Sequence, residues 1–338
     1  MKIDSAVFLA DLREVPRLAR YAEELGYDGL WTAEAGHDPY LPVALAATAT
    51  ERVTLGTNIA VAFPRSPLVH AQIGWDLQAA SRGRFVLGLG TQVKRVLEGR
   101  FSVPFEHPAP KLAEYAQALR TVWSANRGTD VRHAGRFYTI RMPTFHGPAQ
   151  PGRPDVPILF AGVGPIMART AGSVADGLIG HPLASPRYLS EIVAPALADG
   201  VAASSRSPRA CPITATAIVS VGDDTEAARR AARLQLAFYA TTRTYLPILE
   251  LHGRASIQGE LRRAFVRRDH DRMAALVDDE FLDAVAIAGR PDEVRDRLAG
   301  WAAVPGLDRV ILAAPWYATA PGWDRRATES ILAVFPAR

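Results

Sequence analysis

"LGTNIAVAFPRSP", residues 55–67, interrupts a buried strand at the point where it should stay apolar. The residues at 53–55 are of the apolar and β-branched kind that predicts a buried strand. Gly56, Thr57 and Asn58 follow, all small or polar, before apolar residues resume and two prolines end the segment. Two interpretations are open: a β-bulge in a core strand, or the polar carboxyl end of a strand that carries a site.

The strand in this stretch belongs to a unit of one strand and one helix that repeats along the chain. A doubly wound open sheet is one way to arrange such units, but no G-x-G-x-x-G sequence opens the first helix. Eight units in 338 residues instead predict an α/β protein, a (β/α)8 TIM barrel, folded as one domain over 1–338. The predicted strands are 3–10, 28–34, 52–61, 83–91, 156–163, 175–180, 211–222 and 307–316.

Two segments depart from this repeat. The first covers about 95–155 and contains RHAGRFYTIRMP (132–143), which predicts a hairpin or another extended excursion, followed by a stretch rich in proline and glycine. The second, 243–284, is helical but irregular. We expect both to be insertions that cover the C-terminal mouth of the barrel.

Composition narrows the class of protein. No apolar run approaches 18 residues, which predicts no transmembrane helix, and the N-terminus lacks the pattern of a signal peptide. Cys211 is the single cysteine, which argues against a disulfide framework and fits a reducing cytoplasm. The arginines are dispersed, which argues against nucleic-acid binding, and a net charge of +4 suits a small anionic ligand.

In a (β/α)8 barrel the active site lies at the carboxyl ends of the strands. Polar or glycine residues follow five of the predicted strands, and each has a structural alternative: Asp38 or Thr91 could cap a helix, and the glycines could simply turn the chain. The candidates are Glu34, Gly36, His37 and Asp38; Thr57 and Asn58; Gly90, Thr91 and Gln92; Gly162, Val163, Gly164 and Pro165; and His181 with Pro182.

The glycine turn at 162–164 opens a predicted helix. Free backbone N–H groups and the helix dipole favour a phosphate at such a position. The candidate residues include no cluster with metal-ligand spacing, no nucleophile elbow and no lysine at a strand end. A site rich in amide, hydroxyl and backbone groups, and poor in nucleophiles, predicts an organic cofactor that performs the chemistry itself.

Three segments together resemble the bacterial luciferase-like superfamily, and within it the actinobacterial oxidoreductases that use the deazaflavin coenzyme F420. The resemblance runs through nearly the whole chain, although FMN-using relatives share the barrel. The segments are DGLWTAE (28–34), LGTNIAVAFPRSPLVHAQIGWDLQAASRGRFVLGLGTQV (55–93) and VPILFAGVGPIMARTAGSVADGLIGHP (156–182).

The resemblance implies F420, or alternatively FMN, at the C-terminal mouth and a non-prolyl cis peptide between Asn58 and Ile59. It also implies a homodimer and a small-molecule substrate. Relatives often carry an acid–histidine pair after strand two, where this chain has Glu34 and Ala35. The cofactor-binding residues implied or proposed are Thr57, Asn58, Ile59, Thr91, Gln92, Gly162, Val163, Gly164, Pro165 and His181.

The missing histidine disfavours oxidation of a sugar phosphate and the luciferase reaction. Hydride transfer between F420 and an activated C=C or C=N bond is then the main hypothesis, with Glu34 or His37 as proton donor or substrate anchor. One alternative is an FMN-dependent monooxygenase, in which Arg65, Arg95 or Arg100 would clamp the phosphate. A second alternative, from another class, is a non-catalytic flavin-binding paralogue.

Overall fold

The computed structural model of the chain describes residues 1–7, 11–125, 130–142, 155–319 and 323–334. The predicted residues 8–10 of the first strand, and 126–129 and 143–154 of the first insertion, lie outside the described residues. The strands are β1 Lys2–Ala6, β2 Gly29–Thr32, β3 Thr54–Thr57, β4 Ala60–Val61, β5 Phe85–Gly90, β6 Val131–Ala134, β7 Thr139–Met142, β8 Ile158–Gly162, β9 Gly177–Gly180, β10 Ile213–Val221, β11 Ala286–Gly289 and β12 Leu307–Ala313.

Eight parallel strands close into a ring in the order β1, β2, β3, β5, β8, β9, β10, β12 and back to β1. The predicted (β/α)8 barrel is therefore confirmed, and each of its strands falls inside a predicted segment or overlaps it closely. The predicted hairpin is confirmed as the antiparallel pair β6 and β7. The sequence prediction missed β11, which lies outside the ring and pairs with the end of β10.

The helices lie between the strands of the ring and in the two inserted segments. Within 95–155, α5 packs between α3 and α6 in the outer layer of helices. The described residues contain no helix that combines the length and the apolarity needed to cross a membrane. The helices are α1 Val15–Glu24, α2 Tyr40–Ala49, α3 Pro67–Ala80, α4 Lys94–Phe101, α5 Pro108–Ala125, α6 Pro165–Val174, α7 Pro186–Tyr188, α8 Ala194–Ala203, α9 Thr225–Ala240, α10 Leu246–Leu251, α11 Gln258–Arg267, α12 His270–Ala275, α13 Asp279–Val285, α14 Pro291–Ala299 and α15 Trp323–Val334.

Alternation along the strands separates two packed layers. One set of side chains meets the helices, with Leu55, Phe85 and Leu87 almost fully buried. The other set fills the inside of the barrel, so that the barrel is a packed core and not a pore. The main apolar members of this inner set are Ala6, Trp31, Leu159, Ile179, Ile311 and Ala313.

A buried ion pair lies inside the barrel near the amino ends of its strands. Asp4 accepts hydrogen bonds at one oxygen from the indole N–H of Trp31 (2.7 Å) and from the guanidinium of Arg309 (2.6 Å). These groups lie at the end of the barrel opposite the mouth, where polar groups support the fold and active sites are not found. A functional site is therefore expected at the carboxyl ends of the strands.

Candidate functional site

The third strand of the ring is interrupted by a bulge where the sequence turns polar. Gly56 pairs with Val86, and Ala60 pairs with Leu89. Gly56 and Ala60 are four positions apart (60 − 56), whereas their partners Val86 and Leu89 on β5 are only three positions apart (89 − 86). One extra residue therefore bulges from the strand. The Asn58–Ile59 peptide bond within the bulge is cis, as expected.

Thr57 supports the bulge from inside the sheet. Its hydroxyl donates to the carbonyl oxygen of Gly88 (2.7 Å) and accepts the N–H of the same residue (3.0 Å). The Thr57 side chain is fully buried. Its hydroxyl thus replaces the ladder hydrogen bonds that the bulge removes between β3 and β5, and it is already engaged before any ligand binds.

Asn58 reaches from the bulge to the far wall of the mouth. Its side-chain amide donates to the hydroxyl of Thr216 on β10 (3.0 Å), and its backbone N–H donates to the carbonyl of Thr32 (2.6 Å). The half-buried Ile59 lies over Gly90 at the end of β5. The predicted residues Asn58 and Ile59 therefore form a floor that is fixed at both edges.

Glu34 holds the bulge from the side of β2. Its carboxylate accepts the N–H of Val61 (2.8 Å), and its own N–H donates to the carbonyl of Ile59 (3.0 Å). Both carboxylate oxygens also accept from Arg65 at 2.9 Å, and Arg65 reaches Asp38 at 2.9 Å. The Glu34 side chain is only 9% exposed and that of Arg65 20%. This network fixes the backbone within the bulge at Ile59 and just after it at Val61.

The other predicted residues of this loop lie apart from the network's centre. Asp38 accepts the N–H of Tyr40 (2.8 Å), the first residue of α2, beside its ion pair, although the N-cap position of that helix is Pro39. His37 is exposed. The role of His37 as proton donor stays a prediction from the sequence.

A buried histidine beneath Arg65 was not found from the sequence. The hydroxyl of Tyr115 donates to the backbone carbonyl of Arg65 (2.9 Å) and lies 2.6 Å from Nδ1 of His70. Because a carbonyl can only accept, Tyr115 uses its proton there and accepts from the imidazole. Burial of His70, helped by the charge of Arg65, lowers the pKa of its imidazole to about 3. No pattern in the sequence identifies a single histidine on α3 as part of a hydrogen-bond network with Tyr115 and Arg65.

The ends of β5 and β8 form the next part of the mouth. Gln92 adopts a left-handed backbone with φ of 58°, which is uncommon for a residue other than glycine, and Thr91 donates to its carbonyl (3.2 Å). Gly164 is the N-cap of α6, and Pro165 opens that helix. A Cβ built on Gly164 would meet no atom within 4 Å. The space beside Gly164 is therefore open, and the first turn of α6, which begins there, leaves backbone N–H groups without partners inside the helix.

His181 lies just after β9 against two tyrosines. Its ring centroid is 4.8 Å from that of Tyr239 and 4.1 Å from that of Tyr245. Burial lowers the pKa of its imidazole to about 3, so the ring is neutral at cellular pH. Burial also raises the pKa of Tyr239 to about 12.

The sequence prediction missed the aromatic partners of His181. Trp316 and Tyr317, which extend this group of rings, come three and four residues after the end of β12, and the predicted strand 307–316 had placed Trp316 inside the strand. Tyr239 and Tyr245 carry no comparable signal in the sequence, because they lie at the end of α9 and in the insertion that follows. In the described ranges, no group of three or more His, Cys, Asp or Glu side chains is arranged to hold a metal ion.

The neutral histidines predict a pH dependence of stability. Between pH 6.5 and about 3 the unfolded chain binds more protons at His70 and His181 than the folded chain does. Stability should therefore fall as the pH falls through this window, by about 1.4 kcal/mol per pH unit for each histidine. Urea unfolding at pH 7 and pH 5 measures the slope. His70→Gln should reduce this slope by about 1.4 kcal/mol per pH unit, the contribution of one histidine. His37→Gln, at an exposed position, is the control, and equal slopes for the two variants would contradict the prediction.

The fold and the site define a (β/α)8-barrel protein whose polar groups gather at the C-terminal mouth around a bulged third strand. The family model of the luciferase-like monooxygenases matches residues 3–308. The chain therefore belongs to the luciferase-like monooxygenase family.

Individual relatives support the same family. An uncharacterised protein of Mycobacterium tuberculosis is 46% identical over 82% of this chain and 83% of its own length. A second protein of that organism, named as a candidate coenzyme F420-dependent oxidoreductase, is 30% identical over 88% of this chain and 89% of its own. The solved structure of the coenzyme F420-dependent tetrahydromethanopterin reductase from Methanopyrus kandleri covers 100% of this chain and 99% of its own, with a TM-score of 0.79 and 22% identity, a likeness of fold.

Proposed function

We propose that the protein is an F420-dependent oxidoreductase that transfers a hydride between F420 and a small organic substrate, in the direction of reducing an activated C=C or C=N bond. The observation that carries the cofactor is the open space at Gly164 beside the N-terminus of α6. Relatives named for F420 over most of their length support the choice of cofactor.

The residues at the mouth fit a flat ring that bears a phosphorylated side chain. The bulge at Asn58 and Ile59 offers a backbone surface for the ring, and it is fixed to β10 by the bond to Thr216. The N–H groups around Gly164 favour the phosphate through hydrogen bonds and the helix dipole. When bound, reduced F420 supplies the hydride, and a proton completes the addition across the double bond.

Within this proposal Glu34 is a positioning residue. Both oxygens of its carboxylate accept hydrogen bonds, from Arg65 and from the N–H of Val61. A side chain whose two oxygens already accept bonds that fix the bulge is poorly placed to donate a proton to a substrate. The proton donor is then the predicted His37 or solvent, and the bulge that Glu34 holds sets the height of the ring over the floor.

The FMN-dependent monooxygenase is the second candidate, and one observation bears on it. Of the three arginines predicted to clamp the FMN phosphate, Arg65 is committed to Glu34 and Asp38. Arg95 and Arg100 are exposed on α4. The arrangement of Arg65 favours F420, and titration with both cofactors distinguishes the two candidates.

The test is the quenching of cofactor fluorescence as the protein is titrated with F420 and, separately, with FMN. We expect F420 to bind and Gly164→Ala to weaken binding about tenfold, because its new methyl group enters the open space where the phosphate would lie. The melting temperature of Gly164→Ala should not change, since the methyl group meets no protein atom.

Gly300→Ala is the matched control, because its Cβ also meets nothing within 4 Å but lies at the end of α14. Binding of neither cofactor would overturn the proposal, and tighter binding of FMN would transfer it to the monooxygenase. Binding of F420 without turnover of its reduced form by any electrophilic alkene or imine would favour the non-catalytic paralogue. The homodimer and the cytoplasmic location remain predictions from the sequence.

A further inference from the structure

Aromatic side chains from separate parts of the chain meet at one side of the mouth, and six of them form a group that is bordered by Phe265 and His270. We call them the aromatic lobe. The rings of Phe238 and Tyr317 stack with centroids 4.5 Å apart, and Trp316 meets Phe238 edge-on at 5.1 Å. The contacts of His181 with Tyr239 and Tyr245 continue the lobe. The members are His181, Phe238, Tyr239, Tyr245, Trp316 and Tyr317.

The topology of the barrel places this lobe beside the bulge. His181 follows β9 and Trp316 follows β12, and these strands flank β10 in the ring. Thr216 on β10 is the residue that Asn58 reaches from the bulge. The lobe therefore lies next to β10, the strand to which Asn58 of the proposed cofactor site is hydrogen-bonded.

The segment that carries Trp316 and Tyr317 is fixed in place. The side-chain oxygen of Gln235, which is buried on α9, accepts the backbone N–H groups of both residues at 2.9 Å. Trp316 nevertheless remains 46% exposed. A large apolar ring that is held rigidly and still faces solvent loses little conformational entropy when a ligand covers it.

His181 adds one directional group to the lobe. Its Nδ1 accepts the N–H of Leu183 (3.0 Å), so that nitrogen carries no proton. Because the ring is neutral, the proton lies on Nε2, which makes it a donor. The contacts of His181 within the described residues use Nδ1 and the ring, and Nε2 has no partner there.

We propose that the aromatic lobe is the substrate subsite, and that it takes a flat, uncharged, conjugated carbonyl or imine compound whose oxygen or nitrogen accepts the proton on Nε2 of His181. That the bound compound is then reduced depends on the proposed function; that the lobe binds it does not. Stacked rings favour a flat ligand, and a neutral donor favours an uncharged acceptor over a carboxylate. The positive charge of Arg268 acts against burial to lower the pKa of the Tyr317 hydroxyl. A positive charge beside the lobe could also attract an anion, so an anionic ligand is the alternative to be tested.

The experiment measures binding of two probes to the full chain by calorimetry, with and without F420. The first probe is chromone, a flat neutral ring with a C=C bond activated by a carbonyl, and the second is chromone-2-carboxylate. We expect chromone to bind at least tenfold more tightly than its carboxylate. His181→Asn and Trp316→Leu should each weaken chromone about tenfold. The fold should tolerate His181→Asn, since the amide oxygen of that variant can still accept the N–H of Leu183.

Val266→Ala is the control, because Val266 is 81% exposed in the same insertion and touches no member of the lobe in the described contacts. Unchanged affinity for chromone in both lobe variants, with F420 binding intact, would overturn the inference and leave the proposed function standing. Tighter binding of the carboxylate, or no binding of chromone, would overturn the substrate class. Loss of chromone affinity in the variants of a protein that binds no F420 would support the lobe and refute the proposed function.

Discussion

Arg65→Leu is expected to lower the free energy of unfolding by about 2–3 kcal/mol. The substitution leaves the Glu34 carboxylate with the N–H of Val61 as its main partner, while the side chain is only 9% exposed. Removing one partner of a fully buried ion pair costs about 3–5 kcal/mol, and the 20% exposure of Arg65 places this pair below that range. Urea unfolding of the wild type and the variant at pH 7 measures the difference.

Two further variants make the result specific. Arg82→Leu removes an ion pair of similar length, 2.6 Å to Glu51, but both of its side chains are mostly exposed, so the cost should stay within about 0.5 kcal/mol. The double variant Glu34→Gln/Arg65→Leu should recover at least half of the loss, because a neutral amide can still accept the N–H of Val61. A loss for Arg65→Leu no larger than for Arg82→Leu would contradict the buried network.

The same variant connects stability to function. Glu34 contacts the backbone within the bulge and just after it, through the carbonyl of Ile59 and the N–H of Val61. If the bulge is the floor of the cofactor site, Arg65→Leu should also weaken F420 binding, although Arg65 would not touch the ring. Recovery of both properties in the double variant would show that the network acts through the position of the bulge.

The fold could be predicted from the sequence because its signals are local and repeated. Each barrel strand is a short apolar run such as 156–163, and most are followed by a helix with apolar residues at helical spacing. The strand β11 was missed because its four residues lie just beyond the predicted helical segment 243–284, between α13 and α14, and were assigned to no strand. Its pairing with β10 is a tertiary contact that no local pattern contains.

The site was only partly predictable, for a physical reason. Strand ends mark which residues face the mouth, and so Glu34, Asn58 and Gly164 were selected. The sequence does not show what each side chain binds. Glu34 and Arg65 are 31 residues apart, and only the closed barrel brings them to 2.9 Å. Asn58 reaches Thr216 over 158 residues for the same reason.

Gly88→Ala is expected to destabilise the fold by about 3 kcal/mol and to abolish F420 binding. A Cβ at this position would lie 1.9 Å from the carbonyl oxygen of Thr57 and 2.7 Å from the side chain of Ile179. Ile179 can rotate, but the Thr57 carbonyl is backbone in a closed ring, so β3 must move away from β5. Overpacking of a core usually costs about 1–3 kcal/mol, and a clash with backbone belongs at the upper end of that range.

The movement should be felt at the bulge, because Thr57 holds Gly88 through both its hydroxyl bonds. Displacing β3 would lengthen both hydrogen bonds between Thr57 and Gly88. It would also move Asn58, the next residue, away from its hydrogen-bond partner Thr216. Gly164→Ala provides the opposite pattern, since it should weaken binding without a change in stability. A Gly88→Ala protein that unfolds at the wild-type urea concentration and binds F420 normally would show that β3 and β5 are not held together at this contact. Loss of stability and binding in Gly88→Ala, against loss of binding alone in Gly164→Ala, would separate the floor of the site from its phosphate end.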